Sequence, residues 1–264
     1  MSARSRLVGL RTLARREILR YVRRPRNTFV PPFITNVLYL AVFGVILGDR
    51  IGEIAGVPYI LFVLPGLIVL GMISNAFENA SFSIFHGRWN EYIHEVLTSP
   101  LSYTELVGAY VAASALRGLL TGVIIAGVGV GFTVVNPAYG TITVAHPLYL
   151  LAVAAVVATL FAGFGVVGGL WARDFDYLTV LNQFIIRPLV FFGGVFYSLD
   201  VLPGIWRTVS YLNPMVYMVN GVRYGVLGVT EVPPLVSLGV LTAATMALLA
   251  VDVVLVKRGY GLTE

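Results

Sequence analysis

The chain has 264 residues, 58% of them hydrophobic and 12% charged, with a mean hydropathy of +0.86. Soluble domains carry about 25% charge, so these figures exclude an ordinary soluble fold and indicate a membrane protein of several spans, with no polar segment long enough for a second globular domain. The chain has no cysteine, which removes disulfides and thiolate metal sites; its net charge of +5 is explained below by where the arginines stand.

Nine arginines, from Arg4 to Arg26, fall within residues 1–26. Leu7, Leu10, Ala14, Ile18 and Tyr21 recur at three- and four-residue steps, one face of a helix. Arg4, Arg11, Arg15, Arg16 and Arg20 lie largely off that stripe. The pattern suits a basic amphipathic helix on the membrane surface; a solvated arm that only sets topology is the plainer alternative. Six apolar candidates follow, judged against the roughly 20 residues a helix needs to cross hydrocarbon. They cover about 29–47, 57–85, 105–135, 147–172, 177–197 and 233–256. Pro31-Pro32 is placed near the start of the first, where proline costs little, and Pro65-Gly66 predicts a kink in the second.

With six spans, thirteen Lys and Arg residues fall on the side that holds both termini. Three, Arg50, Arg207 and Arg223, fall on the other. Cytoplasmic loops carry the excess of positive charge, so both termini are expected in the cytoplasm. The same asymmetry accounts for the basic balance without nucleic acid.

Residues 86–104 form the longest cytoplasmic connection. Trp89, Tyr92, Ile93 and Val96 recur at helical steps, which predicts a short amphipathic helix ended by Ser99-Pro100. Asn90, Glu91, His94 and Glu95 are candidates to dock on a soluble partner; resting the apolar face on the bilayer is the alternative.

Glu78, Arg117 and Arg187 fall inside spans, where a charge costs about 2.5–3.5 kcal/mol on insertion scales. At about 1.5 Å rise per residue their depths are close enough for pairing. Glu78 is expected to pair with Arg117 or Arg187, with Asn75, Asn79 and Asn182 completing a polar seam. The seam either fixes helix packing or touches cargo. Gly118/Gly122, Gly127/Gly131 and Gly221/Gly225 suggest close helix contacts. No catalytic cluster or metal site is visible. The one lysine, Lys257, is followed by Arg258, so the phosphate-binding GK[ST] motif is absent. If ATP drives this protein, another chain hydrolyses it.

Residues 187–228 start inside the fifth candidate and end before the sixth, a segment too apolar for a soluble loop and too broken by Pro, Gly and Arg for a plain span. The segments FVPPFITNVLYLAVFG (29–44), FVLPGLIVLGMISNAF (62–77), GGVFYSLDVLP (193–203) and YLNPMVYMVNGVRYGVLG (211–228) resemble those of ABC-2 type transporter permeases, of the YadH-type subgroup. The resemblance covers nearly the whole chain and implies an all-α membrane protein. Its fold would have six transmembrane helices, an N-terminal interface helix at about 5–24, and a re-entrant external helical hairpin between the fifth and sixth spans. The whole of 1–264 would form one such domain: 1–26 interface helix, 29–85 first two spans, 86–104 coupling loop, 105–197 next three spans, 198–228 external re-entrant helices, 233–256 last span and 257–264 cytoplasmic tail.

It further implies a homodimer in the prokaryotic inner membrane, associated with a separate ATPase subunit, two copies in all. ATP and Mg would sit in that partner, with no cofactor bound by this chain. A coupling helix at about 87–97 would meet the ATPase through Arg88, Trp89, Asn90, Glu91, His94 and Glu95, joined by Arg11 and Arg15. The polar residues Asn75, Glu78, Arg117, Asn182 and Arg187 would lie within the bundle. Two external pieces, 205–211 and 214–227, would cover the exit, with Phe191, Phe192, Phe196, Tyr197, Tyr211 and Tyr217 as an external gate or, equally, an aromatic belt. The reading is the membrane subunit of an exporter for an amphipathic, lipid-like, drug or glycan-linked cargo, not itself an enzyme. The alternative is a secondary transporter or channel without an ATPase, using Glu78 and Asp252 as proton sites; the absence of a visible inverted repeat weighs against it.

Overall fold

The computed structural model describes residues 3–262, so residues 1–2 and the last two residues of the 257–264 tail lie outside it. Helix α1 (Ala3–Val22) ends before Arg23-Arg24 and Pro25. Pro25 then starts α2 (Pro25–Ile51) at a position where its missing N–H costs nothing. Because α2 starts earlier than expected, Pro31 and Pro32 stand inside it rather than at its start. A wider, π-helical stretch runs through Leu40–Ile46, and Gly52 at φ 74° stops the helix. A small antiparallel hairpin, β1 (Glu53–Ile54) with β2 (Val57–Pro58), turns the chain. Ala55 and Gly56 supply the two positive φ angles that a tight hairpin needs.

Helix α3 (Tyr59–Trp89) is the axis of the molecule: buried residues run along nearly all of it. Helix α4 (Ile93–Leu97) is a single short element. The capping box of Ser102 and Glu105 starts α5 (Tyr103–Val135), and α6 (Pro147–Trp171) follows. The next helical segment, α7 (175–191), is a succession of α, π and α turns. Asp174 caps it by accepting from the backbone N–H groups of Asp176 and Tyr177. Two helices, α8 (Gly204–Ser210) and α9 (Pro214–Leu227), precede α10 (Pro234–Lys257).

Five of these helices, α2, α3, α5, α6 and α10, are long and apolar enough to cross a membrane. The architecture is therefore an all-α membrane protein. Helix α7 is shorter than expected: the 177–197 run leaves the helix after Phe191, where Gly193 and Gly194 turn the chain and Gly194 takes φ 77°.

Two ends can be told apart, about 45 Å from each other along α3. At one end the Arg88 guanidinium donates to the carbonyls of Gly169, Leu170 and Ala172, and Gly261 lies against Leu170. At the other, the Tyr59 hydroxyl donates to the Phe196 carbonyl and the Tyr149 hydroxyl to that of Pro234. The chain thus passes from the Arg88 end at Ala172 to the Tyr59 end at Phe196, and returns along α10.

Packing on α3 depends on small residues. A Cβ on Gly118 of α5 would stand 2.7 Å from the Met72 carbonyl. Cβ atoms on Gly165 and Gly169 of α6 would stand 2.5 and 2.6 Å from those of Phe77 and Ser81. Only glycine lets the backbones approach so closely. Of the three glycine pairs read from sequence, Gly221/Gly225 packs on α6 at Val153 and Leu150, whereas Gly127 and Gly131 face open space.

Candidate functional site

The buried stripe of α1 is Leu13, Glu17 and Tyr21, at four-residue steps. This corrects the stripe expected from the sequence, since Leu7 is exposed. Glu17 is 2% exposed and is the only acid before Asp49. It accepts from Arg16 at 2.9 Å and from the Ser83 hydroxyl of α3, and lies 3.3 Å from Arg20. Arg16 also donates to the Tyr110 hydroxyl of α5 at 3.1 Å and lies over the Tyr92 ring beside α4. Burial alone would lower the Arg16 pKa; Tyr110 and Glu17 outweigh that and raise it. Arg20 donates to the backbone and side-chain oxygens of Asn79 at 2.7 and 3.0 Å.

From Asn79 the network enters the bundle. Its amide donates to the Ser114 hydroxyl, and its side-chain oxygen accepts from Arg117 at 3.4 Å. Arg117 also donates to Asn75 at 3.1 Å and stands 4.0 Å from the Glu78 carboxylate. Asn182 donates to the same carboxylate at 2.8 Å. The structure thus brings together Asn75, Glu78, Arg117 and Asn182, and pairs Glu78 with Arg117. Arg187 makes no ion pair with Glu78 within 4.0 Å among the described residues but acts on its carboxylate electrostatically, and it lines the same cavity, of about 340 Å³, between α2 and the rest of the bundle.

Sequence reasoning missed Glu17, Arg16, Tyr110, Ser83 and Ser114. The usable signal was a lone acid in a strongly basic helix, four residues from Leu13 and from Tyr21.

At the Arg88 end, α4 corrects the expected helix over 87–97. Residues 87–89 continue α3, and Asn90 ends that helix. Glu91 adopts φ 61°, a left-handed conformation that breaks the stripe before Ile93. Ile93 and Val96 are buried, while Trp89, Asn90, Glu91, His94 and Glu95 are exposed, as are Arg11 and Arg15. Arg88 is engaged with the carbonyls at the end of α6 rather than turned outward.

At the Tyr59 end, the six aromatic residues divide into separate groups. Phe196 packs on Phe191 at 5.1 Å and on Phe43 of α2 at 4.4 Å between ring centroids. Tyr197, Tyr211 and Tyr217 pack around Leu199, Val216 and Val232. Phe192 is exposed. The two helices of this region also differ: α8 has no buried residue, whereas most of α9 is buried between α3, α6 and α10. Arg223 of α9 is 1% exposed. It donates to the Gly194 carbonyl at 2.7 Å and stacks 3.8 Å over the Phe62 ring.

Comparison with known proteins is consistent over almost the entire length. The ABC-2 type transporter family matches residues 8–227. The inner membrane transport permease YadH of Escherichia coli K12 is 37% identical over 255 residues, 97% of each chain. Nodulation protein J of Rhizobium leguminosarum bv. viciae is 25% identical over 252 residues, 95% of each chain. Nodulation protein J of Rhizobium meliloti is 26% identical over 204 residues, 77% of this chain and 74% of that one.

Proposed function

Because this chain belongs to the ABC-2 type transporter family and is a transport permease of the membrane, we propose that it is the membrane-spanning half of an ATP-driven exporter. Two copies form the pathway, and each engages a separate ATPase subunit, which holds ATP and Mg, at the Arg88 end. Six segments, α7 included, cross the inner membrane with both termini in the cytoplasm. The passage of the chain from Ala172 to Phe196 across the bundle supports the sixth crossing. The bias of Lys and Arg toward the Arg88 end supports the orientation. Residues 198–228 form a re-entrant cover over the exit; the burial of α9 at the Tyr59 end favours that reading, because irregular backbone at membrane depth needs protein around it. Cargo is amphipathic: lipid-like, drug-like or glycan-linked.

One observation carries the coupling mechanism. The buried Glu17 ties α1 to α3 through Ser83 and, by way of Arg16, to α5 and the α4 loop. The exposed side chains Asn90, Glu91, His94 and Glu95, with Arg11 and Arg15, offer the docking surface. A push on α1 and α4 would therefore reach Asn79 and Arg117 through hydrogen bonds. Nucleotide in the partner and cargo in the bundle then bias the same two arrangements, which is what coupling requires.

The test is recovery of the tagged full chain from native membranes. An ATPase subunit should come with it in equal amount, and transport by reconstituted vesicles should need ATP. Transport by the chain alone would contradict the reading. One feature favours the other class, a proton-driven carrier: Asp252 is fully buried against Gly163, and neither carboxylate oxygen has a hydrogen-bond partner among the described residues. Uptake driven by a pH gradient without ATPase, lost in Asp252→Asn, would establish it.

A further inference from the structure

Arg187 is an arginine at membrane depth that feels the Glu78 carboxylate electrostatically but makes no close contact with it. Among the described residues it makes no hydrogen bond and no ion pair within 4.0 Å, and it is exposed. A charge inside the membrane is costly and ordinarily pairs or lines a wet cavity. Arg187 lines the cavity between α2 and α3 together with Arg117 and Glu78. Two cations against one carboxylate leave the site one positive charge in excess. Glu78 does not consume both: it stands 4.0 Å from Arg117 and takes its short bond from Asn182. Arg117 keeps a buried Nε–H without an acceptor.

The facing wall adds acceptors. Asn36 of α2 is 4% exposed, donates its amide to the Pro32 carbonyl at 2.8 Å and keeps its side-chain oxygen unpaired. Pro31 and Pro32 have no N–H to offer the carbonyls of Asn27 and Thr28, which line the same space. The cavity is therefore lined by guanidinium groups on one side and by Asn27, Thr28 and Asn36 of α2 on the other.

We propose that this cavity is a binding site for the anionic head group, phosphate or carboxylate, of an amphiphilic cargo, with Arg187 and Arg117 as the anion contacts. Neighbouring hydroxyl groups of that head group donate to Asn36 and the α2 carbonyls. Guanidinium groups bind carboxylate and phosphate through paired hydrogen bonds, and an apolar tail would remain among the exposed Val30, Phe33, Ile34 and Leu38 of α2. The excess positive charge of the empty site favours an anion, and Glu78 would act against it. The inference rests on the permease reading. The two fail separately, because head-group binding is measured on the chain without an ATPase.

The full chain, purified in the neutral detergent dodecyl maltoside, is titrated with dodecyl phosphate, inorganic phosphate and dodecyltrimethylammonium. Dodecyl phosphate should saturate at about one per chain, with inorganic phosphate at least tenfold weaker. Arg187→Gln should weaken dodecyl phosphate about tenfold or more, the size of a lost charge-assisted bond, while Arg187→Lys retains most of the affinity. Glu78→Gln should tighten it several-fold, about threefold by the same scale. Tighter binding of dodecyltrimethylammonium, weakened by Glu78→Gln, would overturn the proposal in favour of a cation site. Unchanged affinity in Arg187→Gln would overturn it as well, and equal affinity for inorganic phosphate would overturn the amphiphile. Size-exclusion profiles establish that each variant is folded. Should Arg187→Gln not be, the retained affinity expected for Arg187→Lys and the tighter binding expected for Glu78→Gln still decide, and weaker binding in Glu78→Gln would overturn the proposal.

Discussion

Helices α2 and α3 are both long and apolar, yet they occupy opposite places in the molecule. In the apolar stretch of α3, 89% of residues are buried, against 17% in α2. Hydrophobicity does not separate them, because lipid tails are as apolar as leucine and offer no reason to prefer protein. Close approach separates them. Glycines of α5 and α6 let their backbones press on α3 at Met72, Phe77 and Ser81. Helix α2 instead has two internal prolines and a π-helical stretch, and leaves Val30, Phe33, Ile34 and Leu38 exposed. The axis of the bundle is α3, and α2 lies on an open side of it.

The sharpest way to break this comparison is to fill one of the α3 contacts. Gly165→Leu drives a side chain into the Phe77 backbone, and overpacking costs about 1–3 kcal/mol or more. Folded protein recovered by size exclusion should fall to a small fraction. The same change at Gly127, which faces open space, should stay within about 0.5 kcal/mol. Equal losses at both would mean that close packing on α3 is not what places the helices.

Glu17→Ala should come next. It strips Ser83 of its acceptor and leaves Arg16 and Arg20 without their carboxylate. Both arginines are more than a third exposed, so the loss is discounted for solvent screening to about 1–2 kcal/mol. Trypsin should then cut the arginine-rich α1 faster while cleavage elsewhere is unchanged. Glu17→Gln, which can still accept from Ser83, should show a smaller effect.

The smallest effect on folding belongs to α2. Phe33→Ala removes an exposed ring and should change the thermal midpoint little, within about 0.5 kcal/mol. If two copies meet across that face, ATP-driven transport should nevertheless fall. A variant that melts early but transports normally per folded molecule would reverse the roles assigned to α2 and α3.

The helices of the bundle were legible because long apolar runs leave few other structures open in lipid. What the sequence hid were places where apolar residues leave the helix and where polar residues enter the packing. Hydropathy reads Phe192–Tyr197 as a continuation of α7, yet Gly193 and Gly194 turn there. Helical periodicity joins Trp89 to Ile93, but Glu91, neither glycine nor proline, breaks the helix with a positive φ. The apolar stripe read for α1 was partly right, with Tyr21 buried and Leu10 against the core, but Leu7 is exposed and the buried side is centred on Leu13 and the Glu17 carboxylate. The polar seam was half legible: an acid and an arginine at similar depth must be reconciled, and Glu78 with Arg117 is. The spacing did not decide which of Arg117 and Arg187 would make the contact; it is Arg117.

The proposal that two copies form the pathway becomes sharpest as the prediction that they meet across the open face of α2, which can be measured directly because the chain has no cysteine of its own. Single cysteines are placed at Leu38 in α2 and at Leu235 in α10, both exposed, and native membranes are treated with a mild oxidant. The account predicts a disulfide-linked dimer from Leu38→Cys and none from Leu235→Cys. A dimer from Leu235→Cys alone, or equal yields from both, would contradict it.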